Sequence, residues 1–202
     1  EEYRKSANYR LWWLLTDGWE FDEFRVIENT VLDFNYTKPY NNELCPCPIS
    51  AFVNIHGSLD KSNIVFGIDA KQHLNDPNAI PFTKTYRLLS LDDPDTGKLV
   101  HMAAPWGPDD STDIIKFYGH SLSEADYSYF QSIFDGVNLY SGHTRLVFYY
   151  KPWCIDGAKK ERCTDEVAQK DMFDKVTRLV TEYGKTMDKQ GPWRKPYAPA
   201  SA

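Results

Sequence analysis

The chain has 202 residues, 42% of them apolar and 15% aromatic, with a formal net charge of −6. That size and apolar content support a sizeable core, while the acidic balance offers no broad basic surface for nucleic acid. No apolar run approaches the roughly 18–20 residues of a membrane span and no secretory leader is visible, so a cytoplasmic protein is expected.

In chain order, Tyr9–Leu15 (YRLWWLL) predicts a helix that Asp17-Gly18 breaks, and Glu20–Glu28 a short amphipathic helix. Thr30–Phe34 (TVLDF) reads as a strand that delivers Asn35-Tyr36-Thr37 at its end. A turn-rich loop with Pro39, Asn41, Asn42, Pro46 and Pro48 follows. Ser50–Ile55 is the next strand, ending in His56-Gly57, and Asn63–Ile68 another, after the turn Ser58–Ser62. Lys71–Ala79 reads as a loop, Phe82–Leu91 as a helix, Asp92–Gly97 as a turn, Leu99–Ala103 as a strand and Pro105–Ser111 as a loop.

The most informative stretch is Asp113–Phe134. Ile114, Ile115, Phe117 and Tyr118 form a β-prone run that Gly119 ends. Ser123 is a good N-cap with Asp126 three residues on, a capping-box-like start. Ala125, Tyr129, Phe130, Ile133 and Phe134 then recur at helical spacing up to a stop at Gly136. Thr144–Tyr150 is a second β run. Strand, helix and strand within about 35 residues predict a βαβ unit with parallel strands. The loop Gly119-His120-Ser121-Leu122 then lies at the carboxyl end of a parallel strand, where open α/β sheets bind ligands and a helix start favours anions.

Pro152–Arg162 reads as a charged loop. Thr164–Lys185 predicts a helix with Thr164 as N-cap and an apolar stripe of Val167, Met172, Phe173, Val176, Leu179, Val180 and Tyr183, packed on the sheet. The expected organisation is a helical lead-in over 1–28, an α/β domain with a mainly parallel sheet flanked by helices over 29–188, and a flexible tail over 189–202. Cys45, Cys47, Cys154 and Cys163 lack the two-to-four-residue pair spacing of a zinc site, so no metal is expected and reduced loop thiols are.

Three expected strand ends carry polar residues: Asn35, His56 and His120-Ser121. If those strands are parallel neighbours in one sheet, Asn35, His56 and Ser121 share a crevice. Taken singly, each has a plainer reading as a turn or cap residue. A serine acyl hydrolase is the competing chemistry, because Gly119-His120-Ser121-Leu122-Ser123 approaches a nucleophile elbow. Against it, Ser123 stands where the elbow needs glycine, and the only downstream base is His143.

The segments LDFNYTKPY (Leu32–Tyr40), VNIHGSLDKSNIVFGID (Val53–Asp69), FYGHSLSEADYSYFQSIF (Phe117–Phe134) and RLVFYY (Arg145–Tyr150) resemble, in order, those of the AbiH family of bacterial phage abortive-infection proteins. The resemblance runs from about Thr30 to the last helix. The amino-terminal G-N-G-F-D glycine loop of that family is absent here, as in a carboxyl-terminal piece or a sequence that has lost it. The same pattern is more remotely similar to sirtuin-like domains, which implies a Rossmann-like, three-layer fold and NAD or a related nucleotide as ligand or substrate. By that similarity Asn35 and His56 would be the catalytic pair, Asn35 steering water or ribose and His56 acting as base. Tyr36, Thr37, Gly57, Gly119, His120, Ser121 and Asp126 would contact the nucleotide, with Asp126 orienting the loop. Cleaving the nicotinamide–ribose bond passes through an oxocarbenium-like state, which an amide that steers water and a base near neutrality would serve. The competing class is a non-catalytic sensor that docks a phage component or partner protein through Tyr9–Trp13 and Trp193–Tyr197, or through self-association.

Overall fold

The computed structural model describes residues 2–18, 28–38, 49–64, 75–83, 86, 112–156 and 159–188. The expectations for Cys45, Cys47, Asp92–Gly97, Leu99–Ala103, Pro105–Ser111, the tail, all but the last residue of Glu20–Glu28 and most of Phe82–Leu91 lie outside them. The chain divides into two compact units, residues 1–101 and 102–202.

In the first unit, α1 (Glu2–Thr16) is longer than the apolar run alone predicted. Thr16 closes it by donating its hydroxyl to the Trp12 carbonyl at 2.9 Å, and Gly18 then takes a left-handed φ of +76°. β1 (Asn29–Asp33) and β2 (Ile49–Asn54) pair in parallel, each within one residue of its expected place. Leu15 of α1 is buried with Leu11, Val31 of β1 and Ile49 of β2, so the helix covers one face of the ladder. Ala51, Val53 and Ile55 are buried in alternation, the period-2 signature of a strand with one face inside. Phe82 closes a short 3₁₀ turn, Ile80–Phe82, and Asn63 and Ile64 are irregular where a strand was expected to start.

The second unit holds the expected βαβ element. β3 (Ile114–Tyr118) pairs in parallel with β4 (Arg145–Tyr149), and α2 (Tyr127–Gly136) crosses between them. A 3₁₀ turn, Glu124–Asp126, precedes α2, and Ser123 Oγ accepts from the Ala125 N–H at 3.4 Å. The core is an aromatic stack. Phe117 lies parallel to Phe148, its ladder partner, with centroids 4.5 Å apart, and meets Phe130 edge-on at 5.5 Å. Phe130 and Phe134 are fully buried, and such side chains carry much of a small core's transfer free energy, roughly 1.5–3 kcal/mol each.

Three expectations are corrected here. Residues 152–162 are not a loop: β5 (Trp153–Asp156) and β6 (Lys159–Arg162) form an antiparallel hairpin. The β-compatible run Trp153–Ile155 leading into Asp156-Gly157 is the sequence signal that points to it. Cys163 is disulfide-bonded, not reduced, and its N–H holds the Pro152 carbonyl at 3.0 Å, which fixes it at the open end of the hairpin. In α3 (Asp165–Asp188) the buried strip is narrower than the predicted stripe. Ala168, Leu179 and Tyr183 are buried, but Phe173 is 68% and Val167 52% exposed. Each residue turns the helix by about 100°, so Phe173 cannot share the face of its half-buried neighbour Met172. Nor is the sheet its only support. Tyr183 packs on Phe134 of α2 at 5.2 Å and donates its hydroxyl to Asp135 at 3.0 Å.

Among the described residues β1–β2, β3–β4 and β5–β6 are separate two-stranded ladders. The fold is α/β with short parallel ladders and helices, and no described helix is long and apolar enough to cross a membrane.

Candidate functional site

The carboxyl end of the β1–β2 ladder carries the polar groups of the first unit. Asp33 and Asn54 are register partners there, and Ile55 N–H extends the ladder by donating to the Asp33 carbonyl at 3.0 Å. The chain then turns at Asn35-Tyr36-Thr37. Asp33 Oδ1 accepts from the Asn35 backbone N–H at 2.9 Å and from the Asn35 side-chain amide at 2.7 Å. From the other strand, Asn54 Nδ2 donates to Asp33 Oδ2 at 3.3 Å, to the Asn35 carbonyl at 2.8 Å and to the Thr37 carbonyl at 3.4 Å. Burial pushes the Asp33 carboxyl above its ordinary value of 3.8, against the pull of the bonds it accepts from Asn35 and Asn54.

His56 follows β2 and is 7% exposed, its ring edge-on to Phe34 at 5.5 Å and tilted against Tyr36 at 6.3 Å. Gly57 has a φ of +75°, and a Cβ there would stand 2.1 Å from the Asn63 carbonyl oxygen, so only glycine fits. Asn63 Oδ1 in turn accepts from the Ser58 N–H at 2.9 Å, and the Tyr36 carbonyl accepts from Leu59 N–H at 2.9 Å. The turn after β1 is thereby laced to the turn after β2. Asn35 and Thr37 are exposed, and Tyr36 is half-buried.

In the second unit, the turn after β3 begins at Gly119, with a φ of +69°. His120 Nδ1 accepts from the Leu122 N–H at 2.9 Å, which requires that nitrogen to be bare. Its Nε2 faces Asp126 Oδ2 at 3.5 Å, and its ring stands edge-on to Phe130 at 5.1 Å. This local clamp seats Leu122, buried with a left-handed φ of +54°. Asp126 is itself buried, and burial, with the Asp126 charge adding to it, pushes the nearby Tyr129 hydroxyl up to about 12. Ser121 is exposed. The backbone donors of Leu122, Ala125 and Asp126 are all taken within the loop, so an anion there would have to compete for them.

The structure thus brings Asn35, Tyr36, Thr37, His56 and Gly57 to one end of one ladder, and Gly119, His120, Ser121 and Asp126 to the end of another. It also places two residues that the sequence reading missed, Asp33 and Asn54. The signal for Asp33 was an acid inside the apolar run Thr30–Phe34, a position that a strand gives up to charge only where a partner waits. The hydrolase reading loses its base. His143 pairs with Asp113 at 3.0 Å at the amino end of the β3–β4 ladder, whereas Ser121 follows the carboxyl end. A five-residue strand separates them, roughly 16 Å at 3.3 Å per residue.

Compared with known families, residues 4–150 match the model described as bacteriophage abortive infection AbiH. The match takes in α1, earlier than the motifs alone suggested, and ends before α3. No curated protein and no solved structure matches the chain.

Proposed function

The chain belongs to the AbiH family of bacteriophage abortive infection proteins, and from that premise we propose that it binds NAD or a related nucleotide at the carboxyl end of the β1–β2 ladder. The observation that carries this reading is the interlaced polar cluster of Asp33, Asn35 and Asn54 beside His56, at the end of a parallel ladder. Parallel α/β sheets take their ligands at that end, because the turns there are free to carry polar groups while the strands hold them in register. A sirtuin-like, Rossmann-like arrangement follows as the fold-level form of the proposal. In it Asn35 presents its amide to ribose or to the attacking water, and His56 takes the proton from that water.

Incubating the full chain with NAD and measuring free nicotinamide tests this directly. Turnover that His56→Ala lowers by about 10²–10⁴-fold, the usual worth of a general base, supports cleavage. Turnover untouched by both His56→Ala and Asn35→Ala removes the proposed site. A specific observation favours a second reading, a non-catalytic module. Tyr9, Trp12 and Trp13 are all exposed on α1, and large aromatic rings in water suit contact with a partner protein. Under that reading NAD neither binds nor disappears.

A further inference from the structure

Asp33 and Asn54 have no assigned role in the ligand reading above, yet they organise it. Asp33 holds both the backbone N–H and the side-chain amide nitrogen of Asn35, and Asn54 holds Asp33 and two carbonyls of the following turn. Both side-chain amide nitrogens are therefore committed inward. The amide oxygens of Asn35 and Asn54 accept no hydrogen bond among the described residues. What the two amides have left to offer is acceptors, backed by a carboxylate.

We propose that Asp33 is a positioning residue which, with Asn54, fixes the Asn35 side chain oxygen-outward, so that this surface selects a hydroxyl donor, the vicinal diol of a ribose, over a phosphate. The proposal rests on the nucleotide reading and names the part of the nucleotide that the cluster reads. A diol brings two O–H donors to amide oxygens that lack them. A phosphate brings only acceptor oxygens and negative charge, which the amide oxygens and the Asp33 carboxylate both oppose.

Titration calorimetry of the full chain with ADP-ribose, 2′-deoxy-ADP and inorganic pyrophosphate tests it, since ADP-ribose carries vicinal diols and the deoxy nucleotide carries none. The wild type should bind ADP-ribose about tenfold more tightly than 2′-deoxy-ADP, the worth of one or two net hydrogen bonds. In Asp33→Asn a donor faces the amide nitrogen of Asn35 or Asn54, the Asn35 side chain is released, and the preference should fall to about twofold or less with 2′-deoxy-ADP affinity little changed. Asn54→Ala, which unhooks Asp33 from β2 and leaves its carboxylate in place, should do the same and serves if Asp33→Asn does not fold. A preference that survives in a folded variant overturns the positioning role, and so does an equal loss for 2′-deoxy-ADP and ADP-ribose, which marks a merely structural effect. A wild type that binds 2′-deoxy-ADP, or pyrophosphate, as tightly as ADP-ribose overturns the diol assignment and leaves nucleotide binding standing. A wild type that binds none of the three overturns both.

Discussion

Asp33 shows what burial does to a single carboxyl. It accepts three hydrogen bonds, each favouring its charged form, yet desolvation outweighs them and raises it above 3.8. A carboxyl raised in the folded state holds its proton more tightly folded than unfolded. Its contribution to stability is therefore complete below pH 3.8 and is lost as pH rises through the raised folded value. The melting temperature of the wild type relative to Asp33→Asn should be most favourable at about pH 3.5 and should shrink through the mildly acidic range. A difference that instead grows as pH rises toward about 3.8 and is flat above it would put the folded carboxyl below its ordinary value. His120 shows the complementary case, a side chain whose two nitrogens are used differently. One accepts from the Leu122 N–H and the other faces Asp126, so its role in the structure is to shape the loop that carries the exposed Ser121. From sequence, the G-H-S-L-S run flagged the loop; that His120 looks inward and Ser121 outward is a matter of packing on Phe130.

At the scale of elements, local chemistry was legible wherever a segment carried its own signals. The run Ile114–Tyr118 ends at Gly119 because glycine alone takes the left-handed turn at no steric cost. Ser123 caps because its hydroxyl reaches the Ala125 N–H. α3 begins after Thr164 for the same reason, with Thr164 Oγ1 accepting from the Val167 N–H at 3.4 Å. Which face of α3 is buried was less legible, since adjacent apolar residues at Met172 and Phe173 widen the stripe beyond what one contact face can cover. The consequence is measurable. Leu179→Ala empties a buried position and should cost roughly 2–5 kcal/mol in urea unfolding, whereas Phe173→Ala should stay within about 0.5 kcal/mol. A cost for Phe173→Ala as large as that for Leu179→Ala would mean that a partner covers the exposed face. The β5–β6 hairpin was missed because charged residues dominate β6, Lys159–Arg162, and charge argues for a loop until the pairing partner is known.

For the molecule as a whole, family membership ties the chain to abortive infection, so the proposed chemistry has a cellular readout. In bacteria carrying the full-length protein, His56→Ala and Asn35→Ala should abolish protection in a phage plating assay, and Ser121→Ala should retain most of it. Full protection by all three variants would favour the docking module, and loss with Ser121→Ala alone would revive hydrolase chemistry. The sequence by itself determined the order of motifs that marks the family, the parallel βαβ unit, and the strands that lead into Asn35 and His56. Those depend on alternation, capping and glycine, all set by residues a few positions apart. Only the tertiary structure decided that β5 pairs with β6, that Asp33 is met by Asn54 across 21 residues, and that Tyr183 finds Asp135 across 48. The physical reason is that a hydrogen bond or a buried ring is completed by whichever group the folded chain brings within a few ångströms, and local periodicity says which residues seek a partner but not which partner they meet.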